Sequence, residues 1–225
     1  MLFNFSKKFD GFHALLYSDS RKGNVHDIDS RKTILDNIIG HTANHISLPL
    51  QTHSSKVVWA KENYAHERSD GILCTGKEGE YISIQVADCV PIYMIDIEKG
   101  FCGLVHSGWR GSLKSIVLEA IRMFERRQSN LSDLKFFLGP HIHQQDYEVD
   151  YDVASKFPEN CIKENGNKWL LNISQKIVND LNFYGISNKQ IDISDISSFS
   201  DTRCQSYRRD GDDAGRMYAF IGKEG

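Results

Sequence analysis

Three runs in the middle of the chain are apolar almost without interruption: Tyr81-Ile82-Ser83-Ile84-Gln85-Val86, Pro91-Ile92-Tyr93-Met94-Ile95-Asp96, and Phe101 to His106. β-Branched and aromatic residues at this density, with few polar alternates, mark strands covered on both faces. Such strands need further layers, and Val57-Val58-Trp59-Ala60 and Leu134 to Leu138 read as additional strands. A helical cover is visible after Gly111. There Leu113, Ile116, Val117, Ala120, Ile121 and Phe124 recur at i, i+3, i+4, i+7, i+8 and i+11, behind Ser112 as N-cap. Weaker helical patterns run from Ser30 to Ile39 and from Ile173 to Leu181. Strands interleaved with helices predict an α+β (mixed α/β) fold, mixed β-sheets packed between helices, and leave the strand order open.

No linker, repeat or low-complexity stretch divides the 225 residues, so the chain reads as one domain over 1–225. A content of 40% hydrophobic and 25% charged residues excludes a disordered chain. The net charge of −3 lacks the basic surplus of a nucleic-acid binder, so no nucleic-acid partner is expected. No apolar run reaches the ~18 residues of a membrane span. The first eight residues place their lysines after the apolar positions, with no secretory h-region behind them. Five cysteines without a CxxC pair fit a reducing compartment, and a cytoplasmic site is the expectation.

Chemistry concentrates in Ala87-Asp88-Cys89-Val90-Pro91 and Val105-His106-Ser107-Gly108-Trp109-Arg110-Gly111, where a cysteine and a histidine stand at the ends of successive buried strands. Polar groups gather at strand ends beside a rigid sheet. Read singly, Cys89 is a small buried hydrophobe and His106 a satisfied rim residue. The separations of 36 residues from His53 to Cys89 and 17 from Cys89 to His106 match no short zinc pattern.

The ordered set says more. It comprises Gln51-Thr52-His53 with Lys56-Val57, Ser69-Asp70-Gly71-Ile72-Leu73, the two segments above, Leu138-Gly139-Pro140-His141-Ile142, Tyr207-Arg208-Arg209-Asp210-Gly211 and Gly215-Arg216. From about residue 10 onward this series resembles the laccase-domain proteins, also called short multicopper polyphenol oxidases or peptidoglycan editing factors, which are related to purine nucleoside phosphorylases of the same fold. The resemblance implies a Zn²⁺ site at His53, Cys89 and His106, three tetrahedral positions with the fourth open to water or substrate. It further implies phosphorolysis of adenosine, inosine and 5′-methylthioadenosine to the base and ribose 1-phosphate, and deamination of adenosine. The partners are then small molecules, a nucleoside and phosphate. Within that reading Asp88 is the candidate proton carrier, or else a turn acid. Arg110, in a turn before a helix, and more weakly Arg31 are the candidates for phosphate. Arg208 and Arg209 read as a charged loop. Family members carry a Ser-Thr-Arg and Gly-Gly segment where this chain has Tyr17-Ser18-Asp19-Ser20-Arg21-Lys22-Gly23-Asn24, which bears on substrate preference more than on metal binding.

Other functions compete. Multicopper oxidation needs about ten histidines with a cysteine across large β domains. Here there are nine histidines and one HxH, His141-Ile142-His143, so copper is expected only as an adventitious Cu²⁺ at the His/Cys site. A thiol hydrolase would use Cys89 as nucleophile and His106 as base, as the similar fold of a deamidating bacterial toxin suggests. A cell-wall precursor editing hydrolase would use the same zinc. A zinc-stabilised binding module would close the fourth position with Cys74, Cys102 or Cys204. Cys161 is assigned to packing.

Overall fold

The computed structural model describes residues 1–21, 27–66 and 68–223. Strands and helices are numbered in chain order. One six-stranded sheet has the order β1-β2-β15-β7-β3-β5, from Leu2–Asn4 (β1), Phe12–Asp19 (β2), Arg216–Lys223 (β15), Glu80–Val86 (β7), His45–Pro49 (β3) and Ala65–His66 (β5). The other has the order β14-β10-β8-β9-β6-β4, from Ile191–Ile193 (β14), Leu134–Leu138 (β10), Val90–Asp96 (β8), Cys102–Ser107 (β9), Gly71–Cys74 (β6) and Val57–Trp59 (β4). A small third sheet joins Glu148–Val149 (β11), Lys168–Leu171 (β13) and Ile162–Asn165 (β12). Both large sheets mix parallel and antiparallel pairs.

Side-chain alternation explains the layering. In β8, Val90, Ile92 and Met94 face the helices, while Tyr93 and Ile95 face the other sheet. In β15, Met217, Ala219 and Ile221 meet that same inter-sheet core, and Tyr218 and Phe220 turn outward beneath Ile28–Ile39 (α1). The second sheet is covered by Ile116–Glu125 (α3) and Ile173–Tyr184 (α5). The order of layers is therefore helix, sheet, sheet, helix, and the mixed α/β expectation holds. Every residue of β8 and β9 is buried, as their unbroken apolar character requires.

The helices start and stop for local reasons. Asp27 caps α1 by accepting from Ser30 N, and Asn172 caps α5 by accepting from Gln175 N. Gly40 and Gly185 close the two helices in the left-handed region. The helix expected from Ser112 is in fact two, Trp109–Leu113 (α2) and α3, broken where Ser115 adopts φ 50°. Ser112 lies inside α2 and its hydroxyl meets that of Ser107 at 2.8 Å, so it is no cap. The apolar stripe of α3 keeps its expected face, each buried aliphatic or aromatic side chain worth roughly 1.5–3 kcal/mol over exposure. Two further short helices are Tyr151–Ala154 (α4) and Tyr207–Asp210 (α6), and the latter supplies Tyr207 and Arg208 to the cavity described next. Among the described residues no helix is long and apolar enough to cross a membrane.

Candidate metal centre

The β8–β9 hairpin builds the site. The two strands are antiparallel, with Val90 opposite Ser107 and Pro91 opposite His106, so Cys89 at the start of one reaches His106 near the end of the other. Cys102, Leu104 and His106 share one face of β9, and that face looks into the gap between the sheets. His53 arrives from the loop between β3 and β4, with φ 56°. The ligand atoms of His53, Cys89 and His106 all lie within 4.8 Å of one another.

Asp70 organises this arrangement. It is fully buried at the head of β6, next to β9, and its main-chain oxygen accepts from His106 N at 2.7 Å. One carboxylate oxygen, Oδ1, meets His106 Nδ1 at 2.9 Å and accepts from His53 N at 2.9 Å. The other accepts from Thr52 N, Ser54 N and Ser54 Oγ. One carboxylate therefore fixes the His106 ring, leaves its Nε2 for a ligand, and folds the His53 loop around itself. Burial would raise the Asp70 pKa, but the hydrogen bonds from His106 and Ser54 outweigh it and hold the carboxyl well below its usual range. Burial likewise opposes charge on Cys89 and His106. The imidazoles of His106 and His53 nonetheless bring the Cys89 thiol down to about 6. The Cys89 thiolate and the Asp70 hydrogen bond raise His106 to about 9.

Two imidazoles and a thiolate are a donor set suited to a tetrahedral metal ion. Room for the ion is kept by Gly108, where a Cβ would stand 2.8 Å from Cys89 Sγ and 3.2 Å from His53 Cδ2. Gly108→Ala is therefore expected to weaken metal binding by about tenfold or more, measured by competition with a chromophoric chelator; unchanged affinity would show that the backbone there is not confining. In metal-free protein, alkylation of Cys89 followed by peptide mass spectrometry is expected to rise through a midpoint near 6 and level off above it, as a thiol with a lowered pKa requires. A midpoint near the free-thiol value of ~8.5 would contradict the thiolate–imidazolium pairing.

The cluster opens on a cavity of about 430 Å³. Its lining includes Tyr147, Tyr207, Ile142 and Ile173 as well as the polar Gln51, Gln85 and Asp88. Gln51 is clamped to the Gln85 backbone by two hydrogen bonds of 2.8 Å. The cations of the lining are Arg208 and Arg216, not the two arginines expected from the sequence. Arg110 is exposed on α2, its guanidinium 4.1 Å from the centre of the Trp109 ring. Arg31 is buried behind the wall, 4.2 Å from the centre of the Tyr218 ring, and donates to Ser83 Oγ at 2.7 Å; burial lowers its pKa to about 10. Arg208 Nη1 donates to Glu148 O, and Arg216 Nη1 to Ala214 O and Gly215 O.

Asp88 does line the cavity, with φ 83°. Both of its carboxylate oxygens are engaged, Oδ1 by Ser198 Oγ and Oδ2 by Arg208 N, each at 2.7 Å. These contacts tie the Arg208 segment to the hairpin. The cysteines offered to close the metal site stand elsewhere. Cys102 shares the face of His106 as expected, but four residues of strand, about 13 Å, separate them. Cys102 pairs instead with Cys74 across β6 and β9, and Cys204 is buried in the inter-sheet core. Among the described residues His53, Cys89 and His106 are the one group of three such ligands. In the segment that departs from the family pattern, Asp19 O lies 2.0 Å from where a Cβ on Gly215 would stand, beside Arg216. Its residues 22–24 lie outside the described residues.

Comparison with known proteins agrees with this architecture. Residues 6–224 match the family model described as multi-copper polyphenol oxidoreductase laccase. A purine nucleoside phosphorylase of Staphylococcus epidermidis is 30% identical over 217 residues, covering 89% of this chain and 81% of that protein. One from Clostridium acetobutylicum is 31% identical over 182 residues, covering 77% and 75%. In solved structures, the Bacillus licheniformis hypothetical protein YfiH shares the fold with a TM-score of 0.86 at 23% identity, covering 97% of this chain and 95% of that one. Since the match spans nearly the whole length, the chain belongs to the multi-copper polyphenol oxidoreductase laccase family.

Proposed function

We propose that the chain is a zinc-dependent purine nucleoside phosphorylase acting on adenosine, inosine or 5′-methylthioadenosine in the cytoplasm, with hydrolytic deamination of adenosine at the same site. The observation that carries this reading is the convergence of the His53/Cys89/His106 triad with Arg208 and Arg216 in one cavity. The names of the relatives from Staphylococcus epidermidis and Clostridium acetobutylicum support it. Zinc held by His53, Cys89 and His106 would supply a Lewis acid to the cavity.

Phosphorolysis exchanges the C1′–N9 bond for a C1′–O bond to phosphate, and the purine departs with the electron pair. An anion must be held beneath the sugar. Arg208 and Arg216 supply guanidinium donors for it, and among the described residues each spends only Nη1 on the backbone. Tyr147, Tyr207, Ile142 and Ile173 give the base an apolar and aromatic wall. Gln51, locked to the Gln85 backbone, keeps its part of the lining rigid. Asp88 fixes the start of α6 through Arg208 N, so the arginine is placed by the same hairpin that carries Cys89.

The test is product analysis on metal-defined protein given adenosine, with and without phosphate, and with chelator as control. Adenine with ribose 1-phosphate only when phosphate is present, or inosine without it, both lost in chelator and restored by Zn²⁺, is the expected result. Arg208→Met should raise the KM for phosphate by about tenfold or more, from loss of a charged hydrogen bond. Absence of any purine product from zinc-loaded protein would refute the reading.

A second reading rests on the Cys89–His106 pair, whose shifted pKa values suit a nucleophile and its base. A thiol hydrolase of this kind would keep its activity in chelator and lose it on alkylation, whereas a hydrolase editing a cell-wall precursor with the same zinc would lose it in chelator.

A further inference from the structure

His141 and His143 stand just past β10 and take no part in the cavity, although Ile142 between them lines it. His141 is 1% exposed, and its Nδ1 donates to Gly139 O at 2.7 Å. That bond puts the proton on Nδ1 and leaves a lone pair on Nε2. This Nε2 is sealed from solvent and has no hydrogen-bond partner among the described residues, and the same is true of His143 Nε2. The two ring centres are 4.9 Å apart. Leaving a buried polar atom unsatisfied is costly, so two on adjacent rings call for a ligand.

The segment is also held in place. Ser198 N donates to His141 O at 2.9 Å, and His143 N to Ser197 Oγ at 3.4 Å. Outside His143 a surface depression is lined by Asp195, Asp201, Ser197 and Ser200, and the Asp146 carboxylate accepts from both serines. Carboxylates at an entrance draw in cations.

The number of ligands selects the ion. The triad at His53, Cys89 and His106 is the one group of three His, Cys, Asp or Glu ligands among the described residues, so this pair has no third such donor within reach. Zn²⁺ seeks four ligands. Cu⁺ accepts two imidazoles, and its single charge is less costly to bury than a dication's. We propose that His141 and His143 form a second metal site, separate from the triad, that binds a monovalent copper ion.

The experiment is anaerobic Cu⁺ titration against bicinchoninate, on the wild-type chain, on Cys89→Ala to disable the triad, and on the double variant Cys89→Ala/His143→Gln. Long-range ¹H–¹⁵N correlation spectra read the imidazoles individually. Cys89→Ala should retain a copper equivalent that the double variant loses, and copper should move the Nε2 resonances of both His141 and His143. His143 is half-buried, and an unchanged far-ultraviolet circular dichroism spectrum checks that its replacement folds. Copper held with both Nε2 resonances unmoved would place it elsewhere, at the Cys74–Cys102 thiols for example, and would overturn the proposal. So would failure of Cys89→Ala to compete with bicinchoninate at all.

Discussion

Cys89→Ser is expected to abolish stoichiometric metal binding and to lower turnover by on the order of 100-fold or more while leaving the fold intact. The reasoning starts from position. Cys89 precedes β8 and is only half-buried, so replacing sulfur by oxygen removes little packing. It does remove the one thiolate of the triad and the charge that helps keep His106 protonated in metal-free protein. Loss of a direct ligand exceeds the ~10–100-fold that loss of an outer partner costs in affinity or activity. Metal content by mass spectrometry and initial rates on adenosine with phosphate check both halves. Full activity with full metal would remove Cys89 from the site.

Asp70→Ala should do more harm to the fold than any ligand substitution. Its carboxylate meets five groups: three backbone N–H groups of residues 52–54, the Ser54 hydroxyl and His106 Nδ1. Alanine strands them around a fully buried position, and breaking one side of a buried charged pair costs about 3–5 kcal/mol. That is a large share of the ~5–15 kcal/mol that separates folded from unfolded domains. Because the folded-state pKa of Asp70 is lowered, its contribution is complete above the unfolded carboxyl value and fades as pH falls through the folded one. Denaturant unfolding at neutral and acid pH reads the effect. Asp70→Asn, which keeps the shape without the charge, should fold and lose about 10–100-fold in metal affinity. An unfolding midpoint equal to wild type in the alanine variant would contradict this account.

The sequence made the middle of the molecule legible because its strands are buried on both faces and so announce themselves by composition alone. β7, β8, β9 and β10 fall within a residue of their expected bounds. β2 and β15 escaped that reading. Phe12–Asp19 carries a histidine and ends on Ser18 and Asp19, and Arg216–Lys223 is interrupted by Gly222, so neither stands out until the two are paired. The triad is legible through family resemblance, whereas nothing in Ser69-Asp70-Gly71 alone marks Asp70 as its organiser. Its importance depends on β6 lying beside β9, which is tertiary information. The arginines illustrate the same limit. A turn before a helix pointed to Arg110, but α2 is five residues long and the side chain stacks outward on Trp109. Arg208 and Arg216 reach the cavity from segments more than a hundred residues away in sequence from Cys89.

β15 sits between β2 and β7, which do not pair with each other. Without residues 216–223 the first sheet is divided into two pieces, β1-β2 and β7-β3-β5. Each piece then presents an unpaired, largely apolar edge, the kind of surface that invites intermolecular strand pairing. Non-local closure of this type also slows folding, since the loop entropy is spent before the pairing rewards it. Arg216 enters in the same event, at the first pair of the β15 ladder. A chain cut short before β15 thus lacks both the strand that joins the sheet and one of the two arginines that line the cavity.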